Sequence, residues 1–530
     1  MIFGEESMNV KFNKGLWESD APEKTPDGFC SEFTNCLVDD IGNIVPRPAF
    51  VRCGQSTVIA QAYPNVAISF KPAYYGNFRH RKLGGYGTNN PDGWLNTETK
   101  LTNYKKSLST DSTNSVATIT GGHTFDWSTA CMYRDRIYAF CSTDSAIKRL
   151  TGWSFVGASA LTETTVGVTP TAISGMLFFK SRLFAWYQNR VMFTDEITAG
   201  GYPETWNTGT NFFDLPSDGS PTINNIFVID NTMWAFTEDG VYTVLVYGAP
   251  SNWIVRKVNE RIITTSKYDS CISSDNIIFF KTDESVFAFN REKIVEVGAP
   301  IKHVLQNRGS VGLVSAIFTS EKGLFLSVQQ LGSGGTYYTL EGATTYYFNG
   351  NGWSKITYGS NTFLSISQCF ASRDALALSN WSSSRITYIS LLYGTAAGSL
   401  SSEFLYVAEN NYAETMSCVF KVVIKDMAFR ERRFKYGYLD IYSRLSGYFK
   451  TNISQGLISP DADEETYNLT PVPTDKNFLS KFKAPQLVKS FLLKFRQELT
   501  AGAAIVGTPP FQVKAVDLIV NTSRNVSDSV

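Results

Sequence analysis

Histidine is scarce in this sequence, which has only His80, His123 and His303 among 530 residues. None of the three lies in an H-E-x-x-H pattern or in another spacing that is typical of metal ligands. The nucleophile motif G-x-S-x-G and the phosphate-binding motif G-x-x-x-x-G-K-[ST] are missing as well. The sequence therefore favours a protein that is not an enzyme, with no catalytic residue, no metal ligand and no cofactor.

Long apolar runs and closely spaced cysteines are also missing. No apolar segment approaches the roughly 18 residues that a membrane-spanning helix needs, and the start MIFGEESMNV has no basic end leading into an apolar stretch. We expect neither a signal peptide nor membrane anchoring. The eight cysteines include no C-x-x-C pair, which indicates free, mostly buried thiols in a protein that folds in a reducing cytoplasm.

An excess of charge of one sign is absent, because 48 Lys and Arg residues balance 48 Asp and Glu residues. Proteins that coat nucleic acid carry a basic excess, so the balance argues against that class. Residues 421–530 hold 16 basic and 11 acidic residues, and residues 1–420 hold 32 and 37. This weak asymmetry fits either electrostatic docking between copies or onto a partner, or ordinary variation of surface charge.

Aromatic residues and glycine are abundant, at 14% of the chain and 40 residues respectively. Together with many Thr, Ser and Asn residues, this composition favours half-buried pleated strands joined by turns over helices. A chain of this length also exceeds the roughly 250 to 300 residues at which a single core stops growing. The composition therefore predicts an all-β protein with more than one domain.

A short phrase recurs six times in the middle of the chain. Each copy has an apolar strand, a short polar turn and a second strand built on an aromatic residue or leucine. The copies read TACMYRDRIYAF, SGMLFFKSRLFAW, NNIFVIDNTMWAF, NIIFFKTDESVFAF, SAIFTSEKGLFLS and SQCFASRDALALS. Their equivalent core positions are Tyr138, Phe184, Trp234, Phe287, Phe325 and Leu376.

The spacing of these positions, 38 to 53 residues, leaves room in each unit for two more strands. Four-stranded units that bury their faces by stacking around an axis form a β-propeller. We therefore predict a β-propeller of about six four-stranded blades over residues 56–425, with a long polar loop near 71–94. Residues 1–55 are predicted to form an extended arm or clasp, and residues 426–530 a small antiparallel β-sandwich domain.

Tryptophans and carboxylates of the repeat region leave a carbohydrate function open. Each of four tryptophans follows a repeat phrase, and we interpret Trp153, Trp206, Trp253 and Trp353 as packing residues between blades, with sugar platforms as the alternative. A glycosidase would also need an acid and a base or nucleophile. The carboxylates available in predicted blade-edge turns are Asp195, Glu196, Glu204, Asp214 and Asp239.

Two basic clusters are candidates for contacts with DNA phosphates or with an acidic partner. Surface charge without a specific role is the alternative explanation for both. The first cluster consists of Arg79, His80, Arg81 and Lys82. The second consists of Lys425, Arg430, Arg432, Arg433 and Lys435.

Two stretches of the sequence carry a resemblance to a known family: the N-terminal GLWESDAPEKTPDGFCSEFTNCLVDDIGNIVPRPAF and, in the middle, NRVMFTDEITAGGYPETWN. The first is similar to the opening of the tail hub and nozzle proteins of short-tailed bacteriophages, and the second is similar to a step in the propeller blades of those proteins. The chain departs from the family at Thr194, where Ser is more frequent, and at Ala49, where Gly usually follows Arg-Pro. The matching N-terminal positions are Gly15, Leu16, Asp20, Ala21, Pro22, Pro26, Gly28, Asn35, Asp40, Gly42, Arg47 and Pro48.

The resemblance implies a structural protein of the virion tail, assembled in the host cytoplasm. Members of this family form rings, usually of six copies, below the portal and adaptor, and double-stranded DNA leaves through the central channel. The implied partners are further copies of the chain, the portal or adaptor, and fibre, spike or needle proteins. A carbohydrate-binding or carbohydrate-cleaving propeller and a tail-tip host adhesin remain the alternatives.

A DNA channel should avoid a basic lining, because each phosphate that a lysine or arginine neutralises strengthens a salt-dependent grip. The acidic excess of residues 1–420 suits such a channel. We therefore expect a neutral-to-acidic lumen, with the basic surplus after residue 420 at contacts between subunits or with the adaptor.

Overall fold

The computed structural model describes most of the chain, in separate segments. The described residues are 3–18, 24–52, 59–60, 62–70, 79–86, 100–104, 116–118, 127–133, 136–141, 144–151, 162–217, 219–273, 276–282, 284–306, 313–319, 323–331, 338–358, 363–372, 386–394, 400–407, 412, 414–424, 432–443, 447–455, 464–469, 477–483, 491–499 and 511–523. The single α-helix in these segments, α1, spans Lys302–Gln306. None of the helices within them is long and apolar enough to cross a membrane. The predicted all-β fold is confirmed.

The N-terminal segment contributes short strands to several sheets. These strands are β1 (Phe3–Val10), β2 (Cys30–Thr34), β3 (Cys36–Val38), β4 (Ile44–Pro46), β5 (Phe50–Arg52) and β6 (Ile59–Ala60). The segment that was predicted to be an arm is therefore largely built into the sheets of the protein.

Five sheets of four antiparallel strands follow, each a meander in sequence order. The first sheet contains β7 (Ala62–Phe70), β8 (Arg79–Tyr86), β9 (Lys100–Tyr104) and β10 (Val116–Thr118). The second contains β11 (Trp127–Tyr133), β12 (Arg136–Cys141), β13 (Ala146–Thr151) and β14 (Thr162–Thr165). The third contains β15 (Gly175–Phe179), β16 (Arg182–Tyr187), β17 (Arg190–Phe193) and β18 (Phe212–Asp214).

The fourth sheet contains β19 (Ile223–Ile229), β20 (Thr232–Thr237), β21 (Val241–Leu245) and β22 (Ile254–Asn259). The fifth contains β23 (Ser270–Ile272), β24 (Ile278–Lys281), β25 (Val286–Phe289) and β26 (Ile294–Glu296). Short 3-10 turns lie beside these two sheets at Pro250–Asn252, Lys267–Asp269 and Ala299–Ile301.

A sixth and a seventh meander recruit N-terminal strands. The sixth contains β27 (Leu313–Thr319), β28 (Leu324–Leu331), β29 (Tyr338–Phe348) and β30 (Trp353–Ile356), and β30 pairs in parallel with β2. The seventh contains β31 (Phe363–Ser372), β32 (Ile386–Gly394) and β33 (Leu400–Val407). Its fourth strand is β5, which pairs with β33, and β6 pairs with the same strand. The chain start therefore completes the last meander.

The first strands of the meanders contact one another in cyclic order. β7 contacts β11, β11 contacts β15 and β15 contacts β19, and the series β23, β27, β31 returns to β7. Asn225 of β19 bridges the remaining gap, because its Nδ2 donates to the carbonyl oxygen of Ser270 on β23 at 3.2 Å. The array of sheets is therefore closed and propeller-like.

Inner strands of this array are apolar on both faces where neighbouring sheets cover both faces. β16 shows the pattern residue by residue. Leu183 and Ala185 lie in the core shared with the second sheet, and Phe184 and Trp186 lie in the core shared with the fourth. This arrangement explains why the repeat phrases read as apolar runs instead of alternating strands.

The described repeat core positions lie on the second strand of their sheets, except for one. Tyr138, Phe184, Trp234 and Phe325 lie on second strands. Phe287 lies on β25, a third strand, so the fourth phrase covers the second and third strands of its sheet. The second hairpin of the fifth sheet is as apolar as the first hairpins elsewhere, which explains the shifted alignment. The sixth position, Leu376, lies outside the described residues.

The segment near 71–94 contains a strand where a loop was predicted. β8 crosses it and pairs with β7 and β9 along most of its length. The sequence did not indicate this strand, because the polar run RHRK shows neither an apolar run nor a clear alternation of apolar and polar residues.

The C-terminal strands form two antiparallel sheets together with the N-terminal segment. These strands are β34 (Met416–Ile424), β35 (Arg432–Ser443), β36 (Gly447–Gln455), β37 (Glu464–Leu469), β38 (Asn477–Lys483), β39 (Phe491–Leu499) and β40 (Phe511–Ser523). One sheet continues the sixth meander through β2 in the order β34-β39-β36-β37, and the other has the order β3-β4-β40-β35-β38, with β1 on β40. The boundary predicted at 425/426 falls after β34, which pairs with the C-terminal strand β39.

Candidate functional site

The stretch YPETWN, part of one family-like segment, joins two neighbouring sheets through Glu204. This residue lies in the connection between β17 and β18 of the third sheet. Its Oε1 accepts hydrogen bonds from Arg136 Nη1 at 2.5 Å and Tyr138 Oη at 2.7 Å, and its Oε2 accepts one from Arg149 Nη1 at 2.8 Å. All three donors belong to the second sheet. The Arg136 guanidinium also stacks 3.3 Å from the ring centre of Tyr202.

The electrostatics of this cluster favour the ionised carboxylate. Partial burial acts to raise the pKa of Glu204, but the hydrogen bonds from Tyr138 and Arg136 and the two guanidinium charges outweigh it, so the pKa lies below its usual value. Burial and the hydrogen bond to Glu204 raise the pKa of the Tyr138 hydroxyl. The cluster is therefore a charged clamp between sheets, with the repeat core residue Tyr138 as a member.

The neighbouring Trp206 packs in the interior of the same region. Its side chain is 7% exposed and lies in the core that includes Tyr138 and Met192. Thr194 forms an isolated bridge to Trp206, and its Oγ1 accepts a hydrogen bond from the backbone of Leu183 at 3.0 Å. Threonine keeps the hydroxyl that serine would supply here, so this departure from the family preserves the contact.

The remaining carboxylates considered for catalysis are bonded to basic or polar side chains. Asp214 accepts two hydrogen bonds from Arg190, and Glu196 pairs with Arg182. Asp195 accepts a 2.6 Å hydrogen bond from the amide of Asn211.

Asp239 lies at the centre of a second network. It accepts hydrogen bonds from Ser217, Thr237, Tyr242 and Lys257 at 2.6 to 3.1 Å. In the described part of the chain, no group of three or more His, Cys, Asp or Glu side chains could hold a metal ion.

The N-terminal family-like stretch forms a second clamp around Arg47, whose side chain is 2% exposed. All five N–H groups of its guanidinium have an acceptor. Nη1 and Nη2 bond the two oxygens of Glu414 at 2.8 and 2.6 Å, and the other acceptors are Asn35 Oδ1 and the carbonyl oxygens of Pro48 and Thr357. This clamp joins the N-terminal segment to the end of the sixth meander and to the chain just before β34.

Asn35 completes that clamp in an unusual backbone conformation. Its φ is +54°, and its amide donates to Thr357 Oγ1 at 2.7 Å and to the carbonyl oxygen of Ser417 at 2.9 Å. Asparagine tolerates the left-handed region better than most residues. Both the conformation and the paired acceptors of this site therefore suit asparagine.

Gly15 places the N-terminal segment directly against the sixth meander. Its φ is +79°, and a Cβ there would lie 2.8 Å from the carbonyl oxygen of Trp353. Trp353 itself is 1% exposed and donates its indole N–H to the carbonyl oxygen of Val297 at 2.6 Å. Ala49, where the family usually has glycine, is buried, so a methyl group fits at this position.

The basic clusters lie on strands as far as the structure describes them. Residues 79–82 begin β8, and residues 432–435 begin β35 beside β40. The contacts of these side chains, and the whole of Lys425 and Arg430, lie outside the described residues.

The first strands of the seven meanders carry no charged residue. Their sequences are AYPNVAISF, WSTACMY, GMLFF, INNIFVI, SCI, LVSAIFT and FLSISQCFAS. Because these strands contact one another around the array, its central part is uncharged at the level of sequence.

A cleft of about 520 Å³ opens beside the fifth sheet. The buried pair of Lys281 and Asp269, 2.6 Å apart, belongs to its lining together with Arg261 and Glu284. The two basic and two acidic groups balance in formal charge. The apolar lining consists of Ile262, Ile263, Phe280, Phe287 and Ile294.

Sequence reasoning missed the cation partners of Glu204, namely Arg136 and Arg149, and the partner of Arg47. Glu414 lies in a polar stretch with no motif, and the cleft residues come from several separate turns and strands. No periodicity or spacing in the sequence marks such partners, because they meet only through the packing of sheets.

No family model and no curated protein sequence matches this chain. Among solved structures, the extracellular domain assigned to a hybrid two-component system of B. thetaiotaomicron is similar over 95% of this chain and 66% of its own, with 10% identity and a TM-score of 0.40. In a second structure of that extracellular domain, the similar region covers 62% of the solved chain. This chain therefore spans less than two thirds of the length of both solved chains.

Two further solved structures are similar at lower TM-scores. A family 43 arabinoxylan arabinofuranohydrolase from Bacillus subtilis has 9% identity and a TM-score of 0.25, with coverage of 87% of this chain and 96% of its own. The WD40 β-propeller domain of Doa1 has 10% identity and a TM-score of 0.28, with 68% and 96% coverage. At these TM-scores, none of the likenesses carries an argument about function.

Proposed function

We propose that this chain is a structural component of a phage tail, a wall element of a nozzle or hub ring. One observation carries the proposal: several of the residues on which the family resemblance rests fix the architecture. Gly15, Asn35 and Arg47 attach the N-terminal segment to the sixth meander and the C-terminal sheets. Glu204 attaches the third sheet to the second.

The propeller in this proposal has seven blades, one more than the repeat phrases suggested. The additional blade is the first sheet, which begins at Ala62 and has no recognisable phrase. β5 closes the seventh blade, and the two C-terminal sheets form a β-sandwich that shares strands with the N-terminal segment.

Charge distribution supports a wall element. The first strands lack charge, and the acidic residues Glu204, Asp214 and Asp239 are paired with basic side chains. In the proposed ring of about six copies, the chain contacts the portal or adaptor and the distal fibre, spike or needle proteins, while DNA passes without being gripped. The basic strip at the start of β35 then lies at a protein contact and not in the lumen.

Negative-stain imaging of the purified chain, and of virions labelled with an antibody against it, tests this proposal. We expect rings from the purified chain and a label at the tail. Monomers that leave virions unlabelled would contradict it.

A glycan array and a hydrolase screen at high protein concentration test the carbohydrate alternative, which needs an exposed Trp206 or Trp353 beside a carboxylate pair. Both tryptophans are buried, so we expect neither binding nor hydrolysis. Binding of the purified chain to host cells would favour the adhesin alternative instead.

A further inference from the structure

The turn between β3 and β4 presents Ile41 to solvent in a rigid setting. Ile41 is 81% exposed. Asp39 Oδ1 accepts hydrogen bonds from the backbone N–H groups of Ile41 at 3.0 Å and Asn43 at 2.7 Å, and Gly42 adopts a φ of +86°. Because the turn is held by its own hydrogen bonds, a partner would bind Ile41 without first having to order the backbone.

An acidic group next to Ile41 has no cation partner among the described residues. Asp40 is exposed, and its carboxylate accepts one hydrogen bond there, from Asn351 Nδ2 at 3.1 Å. Asp40 and Ile41 therefore form an acidic and apolar knob.

The mouth of the cleft beside the fifth sheet has the complementary character. Ile263 and Ile294 are 44% and 38% exposed there. The exposed guanidinium of Arg261 has neither a hydrogen bond nor an ion pair within the described segments. The other charges of the cleft, Lys281, Asp269 and Glu284, sum to one negative charge, so Arg261 is the cation available to an incoming acid.

The cleft exists because the fifth sheet is small. Its strands have three or four residues, whereas those of the fourth sheet have five to seven. The smaller sheet leaves apolar surface of its neighbour uncovered, and Leu245 and Ile254 are accordingly exposed.

The knob and the end of the cleft formed by Thr282 and Glu284 lie on opposite faces of the array. Four antiparallel strands return the chain to the end at which a sheet begins, so turns between second and third strands lie on one face and turns between third and fourth strands on the other. The cleft includes Thr282 and Glu284, from a turn of the first kind. The knob contacts Asn351, from a turn of the second kind. Ile263 follows β22, in the connection to the next sheet, so its side of the cleft faces away from the knob of the same chain.

We propose that Ile41 of one copy inserts into the cleft of a second copy, beside Ile263, with Asp40 opposite Arg261. The inference rests on the proposed ring and identifies its contact. Two different surfaces meet, so the interface is heterologous, and such interfaces close into rings when the rotation between successive copies allows it.

Charge reversal tests the contact. We expect Asp40→Lys and Arg261→Glu each to weaken self-association at least about 10-fold, because like charges then face each other across the interface. The double variant restores the ion pair with opposite polarity and recovers assembly. Sedimentation velocity measures the association of all four proteins, and circular dichroism verifies that these exposed substitutions leave the fold intact.

A second arm tests the apolar part. Ile41→Asp is expected to abolish association, whereas the matched control Val168→Asp, at a residue 72% exposed and outside both surfaces, retains it. In a mixture, a chain with Ile41→Cys forms a disulfide with a chain carrying Ile263→Cys when oxidised glutathione is added. Neither chain forms this disulfide alone.

The outcomes separate this proposal from the proposed ring. If the wild-type chain forms rings and the single charge reversals leave them unchanged, the contact lies elsewhere and the inference is wrong, while the ring stands. If the single reversals dissociate the rings but the double variant does not recover, the pairing of Asp40 with Arg261 is wrong. If the wild-type chain remains monomeric at every concentration, both proposals fail.

Discussion

Arg47 and Glu414 lie 367 residues apart in the sequence and form a two-pronged ion pair in the interior, with N–O distances of 2.8 and 2.6 Å. The backbone N–H of Phe50, on the strand that completes the seventh meander, also donates to Glu414 at 2.8 Å. The pair therefore links the closure of the array of sheets within one chain to the attachment of the C-terminal sheets.

Replacing Arg47 by lysine removes the planar fork that bonds both oxygens of Glu414. We expect Arg47→Lys to lower the free energy of unfolding by about 3 kcal/mol, because acceptors in the interior lose their donors. Urea denaturation followed by tryptophan fluorescence measures the loss. The control is Arg190→Lys, since the pair with Asp214 is largely exposed and should contribute less than about 1 kcal/mol. Equal losses in the two variants would show that Arg47 is not a clamp.

Gly15 provides a test of the close approach between the N-terminal segment and the sixth meander. We expect Gly15→Ala to cost about 3 kcal/mol, because the methyl group both strains the backbone and meets the carbonyl oxygen of Trp353. Gly200 is the matched control, with a φ of +82° and no atom within 4 Å of a built Cβ. Gly200→Ala should cost only the backbone strain, about 1 kcal/mol. Thermal unfolding of both variants measures the difference.

Glu204 should make stability depend on pH. Its folded-state pKa lies below the ordinary value, so the ionised cluster stabilises the fold above the unfolded pKa of about 4.3, and this contribution is lost as the pH falls through the folded pKa. We expect Glu204→Gln to lower stability by about 1 kcal/mol at pH 7, discounted for partial exposure, and by less at pH 3.

The control for this pH dependence is Glu196→Gln, because the Glu196 side chain is 68% exposed and its loss should matter little at either pH. Denaturation curves at the two pH values measure both variants. A loss at pH 3 as large as that at pH 7 would mean that the charge of Glu204 does not act through Arg136 and Arg149.

The chain should bind duplex DNA weakly. We expect a dissociation constant no better than about 10⁻⁴ M at physiological salt, the weak end of non-specific binding. A filter-binding titration at several salt concentrations measures it. Tight binding that falls steeply with salt, and that is abolished by changing Arg430, Arg432 and Arg433 to Ala, would show that the basic strip faces DNA and that the chain grips its cargo.

Part of the fold could be predicted from sequence because it depends on local pattern. Apolar hairpins such as those around Phe184 and Trp234 have strong periodic signals, and the structure places both residues on second strands. The phrase around Phe287 was placed one strand out of register, since the second hairpin of the fifth sheet is as apolar as the first hairpins of other sheets. The strand β8 of the first sheet was taken for a loop because it carries a run of basic residues.

The sequence indicated one partner of each clamp in the candidate site but not the other. The segment containing Glu204 and the segment containing Arg47 were both singled out from the sequence. Their partners Arg149 and Glu414 were not, since the former lies in an ordinary strand and the latter in an irregular stretch. Side chains that meet through sheet packing have no fixed spacing in the chain.

The sequence by itself determined that this protein is built of strands, where several hairpins lie and that its charge is balanced, because these properties follow from composition and from nearest-neighbour periodicity. Only the tertiary structure decided that β5 completes the seventh meander, that Arg47 meets Glu414 and that Arg261 opens onto a cleft while Ile41 lies in an exposed turn. The first two of these relationships join residues hundreds of positions apart, and the physical reason is the same for both. A closed array brings the ends of the chain together, and the burial of apolar faces between sheets, not local propensity, fixes which side chains become neighbours.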